Sequence, residues 1–263
     1  MTLHTQHQAR AGLNGGGLYL DLLKRTLTGM VYEDPPIPVS WFSWKKYGVS
    51  RRAAGLDWPQ HAPCMIGAAR LDNVQDCIET ILADGIPGDF AEAGVWRGGT
   101  CILMRAVLKV LDVTDRDVWV MDSFAGLPPV EARAENFTGP EQHALAVPLA
   151  KVRHNFRLYG MLDNQVRFLP GWFCDTLPAA PVSRLALLRM DADLYSSTTE
   201  ILTYLYPRVE PGGFIIVDDW QLPARQAAED YRREHGITAP VMPVEGASHN
   251  GGPLSAFWRK EKS

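Results

Sequence analysis

Cysteine is scarce in this chain. Four occur in 263 residues, at 64, 77, 101 and 174, and no two form a C-x-x-C pair. That argues against a disulfide framework and reads as reduced, mostly buried thiols in a cytoplasmic protein. Positive charge is also short, 26 Lys and Arg against 30 Asp and Glu, for a net charge of −4. Without a basic face there is no means of neutralising phosphates, so no nucleic-acid partner is expected. No apolar run approaches the roughly 20 residues of a membrane span, and Met1 to Leu13 lacks the apolar core of a secretory leader. The chain is 46% hydrophobic and 21% charged, which suits one α/β domain with decorations.

The glycine-rich stretch Gly88-Asp-Phe-Ala-Glu-Ala-Gly-Val-Trp-Arg-Gly-Gly-Thr100 organises the rest. It reads as a short buried strand, an acid, a glycine turn and the start of a helix over Cys101 to Leu111. Gly94 permits the sharp turn, and Gly98 and Gly99 would let a ligand approach main-chain amides near the helix N-terminus. Neither the Lys-Ser/Thr of a phosphate loop nor Gly-x-Gly-x-x-Gly is present. Instead Glu92 precedes Gly94 by two residues, where a carboxylate repels pyrophosphate and attracts a cation. S-adenosylmethionine carries a sulfonium and an ammonium and no phosphate, so the turn suits it better than NAD or ATP. The alternative is an ordinary strand-to-helix turn.

In chain order, residues 1–17 are polar, end in three glycines and are expected to be disordered. The single domain then runs over 18–263, with an N-terminal extension or lid over 18–64. Leu18 to Thr28 reads as an amphipathic helix. Residues 34–63 carry five prolines together with Trp41, Phe42, Trp44 and Trp58. They form either a flap over core surface or an oligomer contact, or else a lid over a bulky substrate. Met65 to Leu82 has helical spacing, and Met65 passes near the cofactor or is purely structural.

Asp117 to Asp122 is a second strand closing in an acid. Asp122 lies 28 residues after Gly94, where an acid accepts from ribose hydroxyls or only caps a turn. Residues 123–150, from Ser123, form a second lid insertion. His143 within it is either a solvated surface residue or a group brought over the substrate. A helix over Leu149 to Tyr159 and a strand over Gln165 to Leu169 lead to Trp172 and Phe173, which either stack on adenine or pack in the core. Met65, Thr100, Ser123 and Trp172 join Glu92, Gly94 and Asp122 as candidates for donor contact.

A fourth strand, Arg184 to Met190, closes in Asp191-Ala-Asp193. After a helix over Ser196 to Tyr206, Pro211-Gly-Gly turns into a fifth strand, Phe214 to Val217, closing in Asp218-Asp219. A charged helix (Ala224 to His235) and two antiparallel-looking strands, near Pro240 to Val244 and Ala256 to Lys260, complete a mainly parallel, seven-stranded α/β sheet with helices on both faces.

If strands four and five are neighbours, their carboxyl ends lie about 5 Å apart on the rim where ligands bind. Asp191, Asp218 and Asp219 then converge, which is unfavourable unless a cation compensates. An all-oxygen set favours Mg²⁺ over Zn²⁺. The alternative is that each aspartate is a cap or turn former. A sulfonium donor and Mg²⁺ on one rim imply in-line methyl transfer to a hydroxyl, giving an ether and S-adenosylhomocysteine. Asp191 is the first choice of base, with Asp193 and His143 as alternatives.

The run Asp89-Phe-Ala-Glu-Ala-Gly-Val-Trp-Arg-Gly-Gly99, with Leu169-Pro-Gly-Trp-Phe173, Leu188-Arg-Met-Asp-Ala-Asp193 and Gly212-Gly-Phe-Ile-Ile-Val-Asp-Asp219, resembles the macrocin-type (TylF-like) sugar O-methyltransferases, including the mycinamicin and noviose enzymes. The resemblance spans about Leu18 to Arg259. It implies a class I (Rossmann-like) methyltransferase fold, S-adenosylmethionine, Mg²⁺, a deoxysugar hydroxyl on a small-molecule glycoside of antibiotic biosynthesis, and a homo-oligomer, dimeric or larger. It assigns Asp191, Asp218 and Asp219 to the metal and Glu92, Gly94 and Asp122 to the donor. Segments 34–60 and 128–148 depart from the pattern, so the acceptor is what transfers least. Two rivals are a phenol or catechol as acceptor and a non-catalytic scaffold on the same fold.

Overall fold

The computed structural model describes residues 15–38, 46–136, 142–221 and 223–261. Trp41, Phe42 and Trp44 lie outside the described residues, as do 1–14.

β4 (Leu185–Met190) is buried along its whole length. A near-continuous apolar run of this kind marks a parallel strand covered on both faces. It sits between β1 (Asp89–Ala93) and β5 (Val209–Val217), with β2 (Val118–Asp122) and β3 (Val166–Pro170) beyond β1. These five strands pair in parallel. β9 (Ala256–Arg259) runs antiparallel to β5, and β6 (Met242–Pro243) antiparallel to β9, which gives the order β3-β2-β1-β4-β5-β9-β6. The strand order reverses between β1 and β4, so the carboxyl ends of β1, β2, β4 and β5 open onto one crevice.

Each face has its own apolar layer. Phe90, Val120 and Leu187 pack with α1 (Gly15–Leu27), α3 (Gly67–Ala83), α4 (Gly99–Val110) and α7 (Leu149–Leu158). Ala91, Trp119, Leu188 and Ile215 pack with α9 (Tyr195–Leu205) and α10 (Pro223–Glu234). Cys101 to Leu108 of α4 are buried all round, as a helix enclosed by its neighbours must be.

Four local features differ from expectation. α1 starts at Gly15, so the three glycines that end the polar leader are helical. β5 starts at Val209, and Pro211-Gly-Gly is a bulge within it, between the pairs Leu185↔Val209 and Leu187↔Phe214. A Cβ at Gly213 would sit 2.7 Å from the Ala186 carbonyl oxygen, which is why glycine occupies the bulge. The 123–150 insertion carries two short helices, α5 (Pro129–Ala134) and α6 (Gln142–Leu145). It is docked: the Trp96 indole donates to the Ala144 carbonyl at 2.8 Å, and Glu135 accepts from the amides of Tyr195 and Ser196. Finally, β7 (Ser248–His249) and β8 (Gly252–Pro253) form a hairpin whose Asn250 and Gly251 have φ of 49° and 80°. Asn-Gly is the sequence signal for such a turn.

The N-terminal segment is held by Arg52 of α2 (Val49–Ala54). Fully buried, it pairs with Asp57 and donates to the carbonyls of Thr28 and Asp34, each at 2.7 Å. Among the described residues, no helix is long and apolar enough to cross a membrane.

Candidate active site

A cavity of about 660 Å³ opens at the crevice. Its floor is the rim of the sheet: Gly94 after β1, Asp122 and Ser123 after β2, Trp172 after β3, Asp191 and Asp193 after β4, Asp218 and Asp219 after β5. Trp58, Met65 and Arg70 wall it from the N-terminal side, Leu127 and Leu145 from the insertion, and His249 and Asn250 from the hairpin.

Gly94 makes the sharp turn as expected, and the neighbouring strand adds a second reason for glycine there. Gly94 has φ of 85°, and a Cβ there would overlap the carbonyl oxygen of Asp191 on the adjacent strand. Gly98 and Gly99 do not line the cavity. A Cβ on Gly98 would lie 2.8 Å from Val152, and one on Gly99 would lie 2.6 Å from the Pro63 carbonyl. They admit α7 and the N-terminal segment against the start of α4.

Glu92 is not at the cavity surface either. Its carboxylate is buried beneath the rim, ion-paired with Arg189, and accepts the Cys101 thiol at 2.8 Å. Burial pushes its pKa up to about 7, against the pull of Arg189. Thr100 is buried beside it and hydrogen-bonds the same carboxylate. Both lie beneath the turn and neither lines the cavity. His143 lies exposed on α6 and is not part of the cavity wall.

Asp122 does line the cavity and also holds two turns. Its Oδ2 accepts the Val95 amide at 2.8 Å and its Oδ1 the Phe124 amide at 2.7 Å. It thus caps turns, as one reading had it, and does so from the cavity wall. Trp172 and Phe173 likewise line the cavity, while Phe173 also packs on the apolar layer beneath.

On the β4–β5 side, Asp191, Asp218 and Asp219 offer oxygens within 4.8 Å of one another. Two arginines, overlooked in the sequence, meet them. Arg189, fully buried in β4, pairs with Glu92 and lies 3.0 Å from both Asp191 and Asp218. Arg70 of α3 pairs with Asp218. A lone arginine inside the apolar run Leu-Leu-Arg-Met is a legible signal, since a charge is buried there only with partners. Arg70 carries no comparable signal.

Two guanidiniums do not balance Glu92, Asp191, Asp193, Asp218 and Asp219. Burial and the charges of Asp191 and Asp218 push Asp193 up to about 7. Burial, then Asp193 and Asp191, drive Asp219 well above the usual carboxylate range. Asp218 Oδ1 is buried and has no hydrogen bond, although Arg189 is near. An all-oxygen cluster of three carboxylates within 4.8 Å, with surplus negative charge and a buried oxygen held by an ion pair alone, fits a hard divalent cation.

The macrocin O-methyltransferase (TylF) family model matches residues 16–260. The chain belongs to the TylF macrocin O-methyltransferase family. Among similar family proteins is the 8-demethyl-8-(2,3-dimethoxy-alpha-L-rhamnosyl)-tetracenomycin-C 4'-O-methyltransferase of Streptomyces olivaceus, 50% identical over 92% of each chain. The mycinamicin III 3''-O-methyltransferase of Micromonospora griseorubida is 48% identical over 94% of this chain and 97% of its own. The demethyldecarbamoylnovobiocin O-methyltransferase of Streptomyces niveus is 48% identical over 87% and 90%. The solved structure of the O-methyltransferase NovP superposes with a TM-score of 0.85 at 43% identity, covering 94% of this chain and all of that one. A calicheamicin methyltransferase structure shares the fold at 19% identity and a TM-score of 0.58. This TylF-family chain is therefore a class I, S-adenosylmethionine-dependent O-methyltransferase.

Proposed function

We propose that the enzyme methylates a sugar hydroxyl of a glycosylated secondary metabolite and that it requires Mg²⁺. The observation that carries this reading is the aspartate trio, closed to within 4.8 Å, on the same cavity that Asp122 and Trp172 line. The relatives' names support the acceptor class. One specifies a rhamnosyl group on tetracenomycin, and the others mycinamicin III and demethyldecarbamoylnovobiocin.

Asp191, Asp218 and Asp219 would hold the metal, and Met65, Gly94, Asp122, Ser123 and Trp172 the donor. When bound, S-adenosylmethionine supplies an electrophilic methyl group and Mg²⁺ a Lewis acidity that makes a hydroxyl easier to deprotonate. Asp122, fixed by the Val95 and Phe124 amides, offers a pre-oriented acceptor for ribose hydroxyls. Trp172 and Phe173 offer apolar faces to a base. The docked insertion and the N-terminal wall restrict water.

The hydroxyl proton passes to a carboxylate oxygen. Asp191 belongs to the trio, and its Oδ2 accepts from Arg189. Asp193 lines the same cavity outside the trio, and its main chain is anchored on Asp219 at 3.0 Å and on Ala224 at 3.3 Å. Those features favour Asp193 as base, with Asp191 next. His143 drops out because it is off the cavity.

We also propose a homo-oligomer, dimeric or larger, working in the cytoplasm. Leu18 and Leu22 of α1, 63% and 57% exposed, are apolar surface that self-association would cover.

The test is mass-spectrometric screening of desmethyl glycosides with S-adenosylmethionine, with and without EDTA. A gain of one methyl that EDTA abolishes is expected. Methylation that survives EDTA would remove the metal, and methylation of phenols alone would move the acceptor class.

A further inference from the structure

Asp218 is a ligand in the reading above, and the further inference rests on that reading. Its two oxygens are treated differently. Oδ2 receives Arg70 Nη1, whereas Oδ1 makes no hydrogen bond and is held by the buried Arg189 guanidinium in an ion pair at 3.0 Å. An aspartate carboxyl turns readily about its last torsion, so whatever grips one oxygen decides where the other points.

Arg70 is itself gripped from behind. Its Nε donates to the Ile66 carbonyl at 2.7 Å and its Nη2 to the Gly55 carbonyl at 3.3 Å. Both carbonyls belong to the N-terminal wall, and Gly55 and Ile66 line the cavity with Trp58. The backbone accommodates this contact. Gly55 caps α2 with φ of 69°, and a Cβ there would overlap both the Arg70 guanidinium and the Ile66 carbonyl. One side chain thus joins α3, the wall over 49–66 and the end of β5. Only a planar fork with donors on several edges can do this.

We infer that Arg70 is a positioning residue: together with Arg189 on the other oxygen it fixes the orientation in which the Asp218 carboxylate would meet the cation, and it fastens the N-terminal wall to the same carboxylate. Groups that orient metal ligands typically account for about ten- to a hundredfold in metal affinity. The opposing effect is repulsion between Arg70 and the cation. It is small here because Asp218 Oδ2 already neutralises the guanidinium.

The experiment compares the wild type with Arg70→Met and Arg70→Lys in three measurements. These are Mn²⁺ binding to the donor-free protein by electron paramagnetic resonance, hydrogen exchange of peptides within 49–66, and calorimetric binding of S-adenosylhomocysteine. Arg70→Met is expected to bind Mn²⁺ about ten- to a hundredfold more weakly and to exchange faster over 49–66, with S-adenosylhomocysteine affinity held. Arg70→Lys is expected to split the two roles. Its ammonium still reaches Asp218 and keeps most of the Mn²⁺ affinity, but it cannot also hold both wall carbonyls, so exchange rises. Mn²⁺ binding in Arg70→Met equal to or tighter than wild type overturns the inference. So does Arg70→Lys exchange matching wild type, or loss of Mn²⁺ and S-adenosylhomocysteine binding together in both variants. No Mn²⁺ binding by the wild type sinks the metal reading itself, a different failure from any of these.

Discussion

The rim of the sheet has two halves built on opposite principles. On the β1–β2 side the acids are paired within the protein: Glu92 by Arg189 and Cys101, and Asp122 by two main-chain amides. On the β4–β5 side four aspartates outnumber the nearby guanidiniums, and one buried oxygen has no hydrogen bond. The first half is a finished scaffold that receives a ligand by shape and oriented acceptors. The second is left electrostatically incomplete, which is what the proposed cation would answer. Motif reading finds both halves, because both are acids at strand ends. It cannot tell them apart, since the difference lies in partners distant in sequence.

Variants can break this contrast. Asp218→Asn should have the largest effect, a loss of turnover exceeding the roughly hundredfold that mere ligand-orienting groups account for, with S-adenosylhomocysteine binding retained by calorimetry. If donor binding fell in parallel, the two halves would not be separable. Arg189→Met should be the most damaging to stability. It strips three carboxylates of a fully buried partner, and removing one member of a buried pair costs about 3–5 kcal/mol. A drop of roughly 10 °C in the unfolding midpoint is expected from that cost, and a midpoint within 2–3 °C, about 1 kcal/mol, would show the charges rearranging.

Gly94→Ala probes the seam between the halves. Its Cβ overlaps the Asp191 carbonyl and its φ is positive, so a penalty of at least about 3 kcal/mol should appear. Because the displaced strand carries Asp191, Mn²⁺ affinity should fall as well as donor affinity. Glu92→Gln should be the mildest. The carboxyl sits under the rim, so donor and Mn²⁺ affinities should both stay close to wild type. A donor-specific loss would return Glu92 to the ligand surface.

How much of this was legible can be argued residue by residue. Apolar runs ending in Asp122, Asp191 and Asp218-Asp219 disclosed the strands and their ligand-facing ends, because a doubly wound sheet puts those ends on one crevice. The need for Gly94 was visible, but not its second cause, which is the neighbouring strand's carbonyl. Gly98 and Gly99 were read for a ligand when their close neighbours are Val152 and Pro63. Arg70 lies 148 residues from Asp218, and no local pattern encodes such a pairing. The hairpin was missed although Asn250-Gly251 announces it. His143 is exposed, as one of its two readings had it; a loop position alone could not decide, because it says nothing of which way its helix faces.

The hairpin β7–β8 lines the cavity through His249 and Asn250 and carries none of the candidate metal or donor residues. It is fastened by the Gln221 amide, which donates to the carbonyls of His249 and Gly252 at 2.7 and 2.6 Å. Those bonds go to main chain, whereas Asn250 and Gly251, both at positive φ, are needed for the turn itself. For enzyme engineering this points to Ser248 and His249 as the positions to vary: a library randomised there and sparing 250–252 would test whether the proposed acceptor range can be shifted with the metal and donor candidates left in place.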